Sequence, residues 1–199
     1  MVNKQYVVLT LVCKSMNSLP WCTFMSRSDA QEYKPDGPAH LISISDGLDD
    51  QAAIVEGRWK SVTYHHFVDA GFDEETIALY GDQFELRYAD YLLADKATIL
   101  RVCLLALVST KENIVIHCQA GRSRSAAVAL YLKEHHGYRL EKPAPDANIC
   151  VYRMLVQDED LLSAYAIATQ PVDAPEALSR FGFSLKGLAR WIGFLGENR

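Results

Sequence analysis

The chain has 199 residues, of which 49% are hydrophobic and 23% charged, and its formal net charge is -5. These values are typical of one compact globular domain over residues 1–199 and exclude a wholly disordered chain. The negative charge argues against a general nucleic-acid or anionic-membrane binder. No apolar run approaches the roughly 20 residues that span a bilayer, so we expect no membrane span.

The cysteines indicate a reducing compartment. Their number is odd, their spacing is irregular and no Cys-x-x-Cys pair occurs, which is typical of free thiols in the cytoplasm rather than of a disulfide framework. The apolar residues 6–12 lack the basic region and cleavage site of a signal peptide. The five cysteines are Cys13, Cys22, Cys103, Cys118 and Cys150.

The first part of the chain reads as strands separated by short connections. β-Branched residues predict a buried strand over residues 6–12, and a short helix follows over residues 26–33. A segment rich in Pro and Gly leads to a second strand over residues 40–45. A third strand is predicted over residues 61–68 from its β-branched and aromatic content.

The middle of the chain changes to a helical pattern. Apolar residues recur at helical spacing over residues 74–108, which predicts one long helix or two, with Gly81-Asp82 as a candidate break. The continuous apolar run over residues 113–118 is typical of a central parallel strand. A helix is predicted directly after it, ending near Gly137, which suits a helix C-cap.

One or two further helices are predicted over residues 145–168, and an amphipathic helical segment over residues 176–195 completes the chain. Strands that alternate with helices predict an α/β domain with a central, mainly parallel sheet flanked by helices. There is no linker-like segment, so we expect a single domain.

One short loop carries most of the functional information. The sequence His-Cys-Gln-Ala-Gly-Arg-Ser-Arg-Ser lies between the predicted central strand and the helix after it. A loop in that position meets the amino end of a helix, where unpaired N–H groups and a partial positive charge favour anions. Gly121 permits a tight turn, and the Arg124 guanidinium matches two phosphate oxygens. In this setting the pKa of the Cys118 thiol can fall to roughly 3.5–7.5.

His117-Cys118, five residues and then Arg124-Ser125 form the signature His-Cys-x5-Arg-Ser/Thr. This stretch resembles the cysteine-dependent protein tyrosine phosphatases, in particular their dual-specificity and bacterial branch. The specific part of the resemblance covers about residues 114–131, in the predicted strand–loop–helix context. The resemblance implies a phosphate-binding loop between the last core strand and a helix.

The resemblance also implies an activity. A phosphatase of this family hydrolyses phosphomonoesters through a cysteinyl-phosphate intermediate and needs no metal or other cofactor. The implied substrate is a phosphorylated protein, with phosphotyrosine as the main target and phosphoserine or phosphothreonine as further ones. Neither a nucleic-acid partner nor a membrane span is implied.

The family motif gives each residue of the loop a role. Cys118 is the nucleophile, Arg124 binds the phosphate, His117 orients the loop and helps to keep Cys118 ionised, and Ser125 donates to the cysteine sulfur. Ser123 and Gly121 shape the loop, and the variable positions contribute backbone donors. The implied substrate-binding residues are Gln119, Ala120, Gly121, Arg122, Ser123 and Arg124.

An aspartic acid on a separate upstream loop supplies the leaving-group proton in this family. The candidates are Asp69, Asp73 and Asp82. Asp69 is favoured because it follows the strand over residues 61–68, which brings it to the same sheet edge as Cys118. Asp82 suits the family's spacing better, but it heads a helical run and resembles an N-cap.

Other functions stay open at this point. A rhodanese-like or arsenate-reductase-like enzyme also places a cysteine in an anion-binding loop, and a catalytically weak phosphate-binding protein would keep the same pocket. The pairs His65-His66 and His135-His136 lack further ligand spacing, so we expect no metal site. Cys103 or Cys150 is a candidate disulfide partner for an oxidised Cys118. The aromatic stripe within residues 181–195 is expected to pack on the core.

Overall fold

The computed structural model describes residues 19–169. Within that part of the chain, five strands form one sheet in the order β3-β2-β4-β1-β5, and all its pairings are parallel. This confirms the α/β fold that the alternation of elements predicts. The strands are β1 Trp21–Ser26, β2 Ala39–Ser45, β3 Ser61–His66, β4 Asn113–Cys118 and β5 Arg139–Leu140.

The helices flank the sheet, and most of them pack on the face that carries the larger core. Short 3-10 turns occur at Leu48–Asp50, Glu56–Arg58 and Gly81–Gln83. None of the helices between residues 19 and 169 is long and apolar enough to cross a membrane. The helices are α1 Arg27–Glu32, α2 Glu74–Tyr80, α3 Phe84–Arg87, α4 Ala94–Ser109, α5 Arg124–His136, α6 Ile149–Val156 and α7 Glu159–Thr169.

Strand β4 lies at the centre of the sheet, as its apolar run predicts. The run is apolar because both faces of the strand are covered. Ile114 and Ile116 belong to the larger core, which includes buried residues of α4, α5 and α6. Val115 points to the other face, where it joins a smaller cluster with Leu41 and Trp59. The alternation along β4 therefore connects the two cores.

Several predicted elements are confirmed with small shifts in their ends. Strand β2 matches the segment over residues 40–45, and β3 begins at Ser61 as predicted but ends at His66. Helix α1 begins after Ser26, whose hydroxyl accepts from the Asp29 N–H. Helix α5 ends at His136, and its C-cap is Gly137, as predicted, with a left-handed φ of 70°.

Other predictions are wrong or incomplete. The helical region over residues 74–108 divides into α2, α3 and α4, with the first break at Gly81, whose φ is +51°. Strand β1 was not predicted, although it lies beside the central strand. The predicted strand over residues 6–12 and the aromatic stripe within residues 181–195 lie outside the described residues.

The parallel arrangement brings the carboxyl ends of four strands to one edge of the sheet. Ser26 at the end of β1 is in register with Cys118 at the end of β4. Strands β2 and β3 end at Ser45 and His66, so the residues that follow them reach the same edge. This edge holds the predicted functional loop.

Candidate active site

Residues 119–123 connect Cys118, the last residue of β4, to Arg124, the first residue of α5. The loop folds closely onto the end of β1. The Arg27 N–H donates to the Gln119 carbonyl at 3.3 Å. Gly121 has a φ of +66°, and a Cβ atom there would lie 2.1 Å from the Ser26 nitrogen. Only glycine fits this position without displacing the backbone of β1.

Cys118 is surrounded by hydrogen-bond donors. Its Sγ lies 3.1 Å from the Ser125 Oγ. Burial raises the pKa of the Cys118 thiol, but hydrogen bonds from the Ser125 hydroxyl and from the N–H groups of Ser125, Gly121 and Arg122 outweigh this effect. The resulting pKa lies below the ordinary value of 9.0. The loop therefore stabilises a thiolate.

The other buried cysteines behave in the opposite way. Burial raises the pKa of Cys22 to about 12 and also raises that of Cys150. Cys22, Cys103, Cys118 and Cys150 are all free thiols. Among the buried cysteines of residues 19–169, only Cys118 has a lowered pKa.

Arg124 is buried and held at one end of its guanidinium group. Its Nη1 donates to the Asp46 Oδ1 and to the Phe67 carbonyl, both at 2.5 Å. Its Nε is buried and has no hydrogen-bond partner within residues 19–169. The Asp69 Oδ2 lies 4.0 Å from that Nε. A buried, unpaired guanidinium N–H is a donor for an anion.

Asp69 contacts the loop directly. Its Oδ1 accepts from the Ser123 hydroxyl at 2.6 Å and from the Asn148 Nδ2 at 3.1 Å. With its Oδ2 facing Arg124, the carboxyl group lies between the loop and the start of α6. This is the location that the end of β3 predicts for it.

The other two candidate acids have different surroundings. The Asp73 Oδ1 accepts from the backbone N–H of Thr76 at 2.8 Å and so caps α2. Asp82 lies inside the 3-10 turn Gly81–Gln83, so its predicted role as an N-cap is wrong. Asp73 caps the helix instead because it immediately precedes the first helical residue. Among the described hydrogen bonds and ion pairs, Asp69 alone of the three contacts residues 118–125.

His117 does not supply a positive charge. It is fully buried, and neither ring nitrogen makes a hydrogen bond of normal geometry within residues 19–169. Burial lowers its pKa to about 4, with contributions from the positive charges of Arg27 and Arg124. The ring is therefore neutral near pH 7. Hydrogen bonds, rather than a protonated His117, lower the pKa of Cys118.

A cavity of about 410 Å³ lies beside the loop, and its lining residues are polar or charged. It is adjacent to Asp69 and to the last residues of the loop. Within residues 19–169, no three or more metal-ligating side chains lie together in a group that could hold a metal ion. Neither His65-His66 nor His135-His136 belongs to such a group. The cavity is lined by Asp69, Arg122, Ser123, Asp146 and Asn148.

Two residues of the site were missed from the sequence. Asp46 follows β2 directly, so its position at a strand end was a usable signal, of the same kind that favours Asp69. Asn148 gave no such signal, because an asparagine before a helix reads only as an N-cap. It reaches the site through a contact across 79 positions of sequence.

No family model, curated protein or solved structure matches this chain.

Proposed function

We propose that the protein is a cysteine-dependent phosphatase that hydrolyses phosphomonoesters through a cysteinyl-phosphate intermediate. One observation carries the proposal: the lowered pKa of Cys118 occurs in the same loop as the buried, unpaired Nε of Arg124. A thiolate and an anion-binding donor at one loop favour attack on a bound phosphate. Asp69, which is hydrogen-bonded to Ser123, is the acid of the proposed reaction.

The proposed reaction has two steps. In the first, the Cys118 sulfur bonds to phosphorus, the ester P–O bond breaks, and the leaving oxygen takes a proton from Asp69. In the second, water attacks phosphorus, Asp69 takes a proton from the water, and the S–P bond breaks to return the thiolate. Arg124 and the N–H groups of residues 119–123 bind the other phosphate oxygens in both steps. Ser125 stabilises the departing thiolate.

Cys118 has no exposed surface. The proposed reaction therefore requires the loop to open far enough for a phosphate to reach the sulfur. Gln119 and Ala120 are the exposed residues next to Cys118 in this loop.

The proposed substrate is a phosphorylated protein, with phosphotyrosine as the main target and phosphoserine or phosphothreonine as further ones. Room for the phosphorylated side chain exists in the polar cavity beside Asp69. The free thiols of the described chain support a cytoplasmic location, since such thiols persist in reducing compartments.

The test is hydrolysis of para-nitrophenyl phosphate with EDTA present. We expect turnover by the wild type and a loss of about a thousandfold or more for Cys118→Ser, because serine is a far weaker nucleophile at neutral pH. Cys103→Ser is the matched control, since Cys103 is a partly exposed thiol on α4. Turnover by Cys118→Ser at the wild-type rate would refute the proposal.

The full burial of Cys118 favours one second candidate, a phosphate-binding protein without turnover. Vanadate binding by the wild type, together with no hydrolysis of any phosphomonoester, would identify that function. In this case Arg124→Lys should lose vanadate binding, because an ammonium group cannot reproduce the guanidinium fork. Arg139→Lys, at an exposed arginine, is its control.

A further inference from the structure

We propose that Asn148 is a positioning residue that holds the acid Asp69 in place for proton transfer. This inference rests on the proposed phosphatase function. The Asn148 Nδ2 donates to the Asp69 Oδ1 at 3.1 Å and lies 3.4 Å from the Ala70 carbonyl. One amide group therefore binds both the side chain of Asp69 and the backbone that follows it.

Asn148 is itself held from two directions. Its Oδ1 accepts from the Val151 N–H at 3.1 Å, which makes it the N-cap of α6. Its backbone N–H donates to the Ser123 carbonyl at 3.2 Å. Asn148 thus joins three separate parts of the chain: the loop after β3, the loop after β4 and the start of α6. A side chain that is fixed in this way can fix its neighbour.

The contacts also distinguish the two oxygens of Asp69. Oδ1 accepts two hydrogen bonds, one from the Ser123 hydroxyl and one from Asn148. An oxygen that accepts two donors is unfavourable as the site of a proton, because the proton would compete with them. The acidic proton therefore belongs on Oδ2, which faces Arg124. Asn148 helps to determine which oxygen donates to the leaving group.

The experiment compares two phosphate esters with different leaving groups. A dinitrophenolate leaves without a proton, whereas phenolate or an alkoxide needs one. Asn148→Ser keeps a side-chain oxygen for the helix cap but lacks the Nδ2 donor. We expect kcat on phenyl phosphate to fall about 10- to 100-fold, with little change on dinitrophenyl phosphate, because a small displacement of a catalytic group has effects of this size.

A structural role for Asn148 would give a different pattern. In an Asp69→Asn background, Asn148→Ser should cause no further loss on phenyl phosphate, because the acid it positions is already absent. Asn113→Ser is the matched control, since the Asn113 Oδ1 accepts from the Trp21 N–H on the adjacent strand. If Asn148→Ser does not fold, Asn148→Thr gives a second test, because it also keeps a side-chain oxygen for the cap and lacks the Nδ2 donor.

The outcomes are separable. Equal losses on both esters, or losses that add to those of Asp69→Asn, would overturn the positioning role while leaving the phosphatase function intact. If the wild type hydrolyses neither ester, the proposed function itself fails, and the role of Asn148 fails with it. A selective loss on phenyl phosphate, absent from the Asp69→Asn background, is the predicted result.

Discussion

At the scale of single residues, Cys118 and Cys150 show how surroundings change one side chain. Both are buried, yet the pKa of Cys150 is raised by burial and that of Cys118 is lowered. The difference comes from the donors that the loop directs at Cys118, foremost the Ser125 hydroxyl. A thiol that accepts such hydrogen bonds is ionised at lower pH than an ordinary thiol.

This explanation predicts the effect of Ser125→Ala. The hydroxyl stabilises the thiolate, so its removal should raise the pKa of Cys118 and move ionisation to higher pH. The pKa of Cys118 is measured from the ultraviolet absorbance of the thiolate as a function of pH, after subtraction of the absorbance of Cys118→Ser. Ser163→Ala, at an exposed serine of α7, is the control. If Cys118 ionises at the same pH in Ser125→Ala as in the wild type, the prediction is contradicted.

Gly121 gives a second prediction at this scale. Gly121→Ala combines a left-handed φ with a Cβ placed 2.1 Å from the Ser26 nitrogen, so the loop must move. Gly137→Ala is a matched control, because Gly137 has a φ of +70° and open space around it. We expect Gly137→Ala to cost about 1–2 kcal/mol of unfolding free energy and to retain activity. Gly121→Ala should cost more and abolish turnover, and equal effects of the two would contradict this account.

At the scale of secondary-structure elements, the sequence predicts best where a single periodicity dominates. Strand β4 and helix α5 were predicted because their apolar patterns are unambiguous over their whole lengths. Strand β1 was missed because the sequence Trp-Cys-Thr-Phe-Met-Ser is short and its burial comes from neighbours that are distant in sequence. Helix α4 could not be separated from α3 because residues between them are also apolar. In the structure this connection is held by a hydrogen bond from the Val68 N–H to the backbone carbonyl of Asp90.

Arg153 connects three helices and gives a prediction about stability. Its Nη2 pairs with the Glu74 carboxylate on α2 and, at 2.7 Å, with Asp158 before α7. Hydrogen bonding to Arg153 is the main cause of the lowered pKa values of Glu74 and Asp158, whose ordinary values are 4.5 and 3.8. This stabilisation is present above those ordinary values and is lost as the pH falls through the lowered ones.

Arg153→Met should therefore destabilise the protein near neutral pH and less so in acid. Urea unfolding at about pH 7 and about pH 3 measures the difference from the wild type at each pH. Arg139→Met is the control, because Arg139 is exposed and its only ion pair within residues 19–169 is with Glu141 at 3.8 Å. A difference that stays constant with pH would show that Arg153 stabilises the fold through packing alone.

At the scale of the whole molecule, the parallel sheet assembles the site from separate parts of the chain. Cys118 and Arg124 could be predicted because they lie in one short motif. Asp46 was missed although it follows β2 directly, and its contact with Arg124 spans 78 positions. Asn148 could not be predicted, since its contact with Asp69 spans 79 positions and nothing in the sequence marks it. Such contacts follow from strand order, which differs from the order of the strands along the chain.

The central claim is that Cys118 carries a covalent phosphoryl group during turnover. Mass spectrometry of the Ser125→Ala variant, quenched in acid during hydrolysis of para-nitrophenyl phosphate, tests it most directly, because loss of the Ser125 hydroxyl slows breakdown of the intermediate. We predict one added phosphoryl group on the peptide that contains Cys118, and none when Cys118→Ser is also present. The account would be contradicted if the enzyme hydrolyses the substrate while the Cys118 peptide stays unmodified, or while the phosphoryl group is found on another residue.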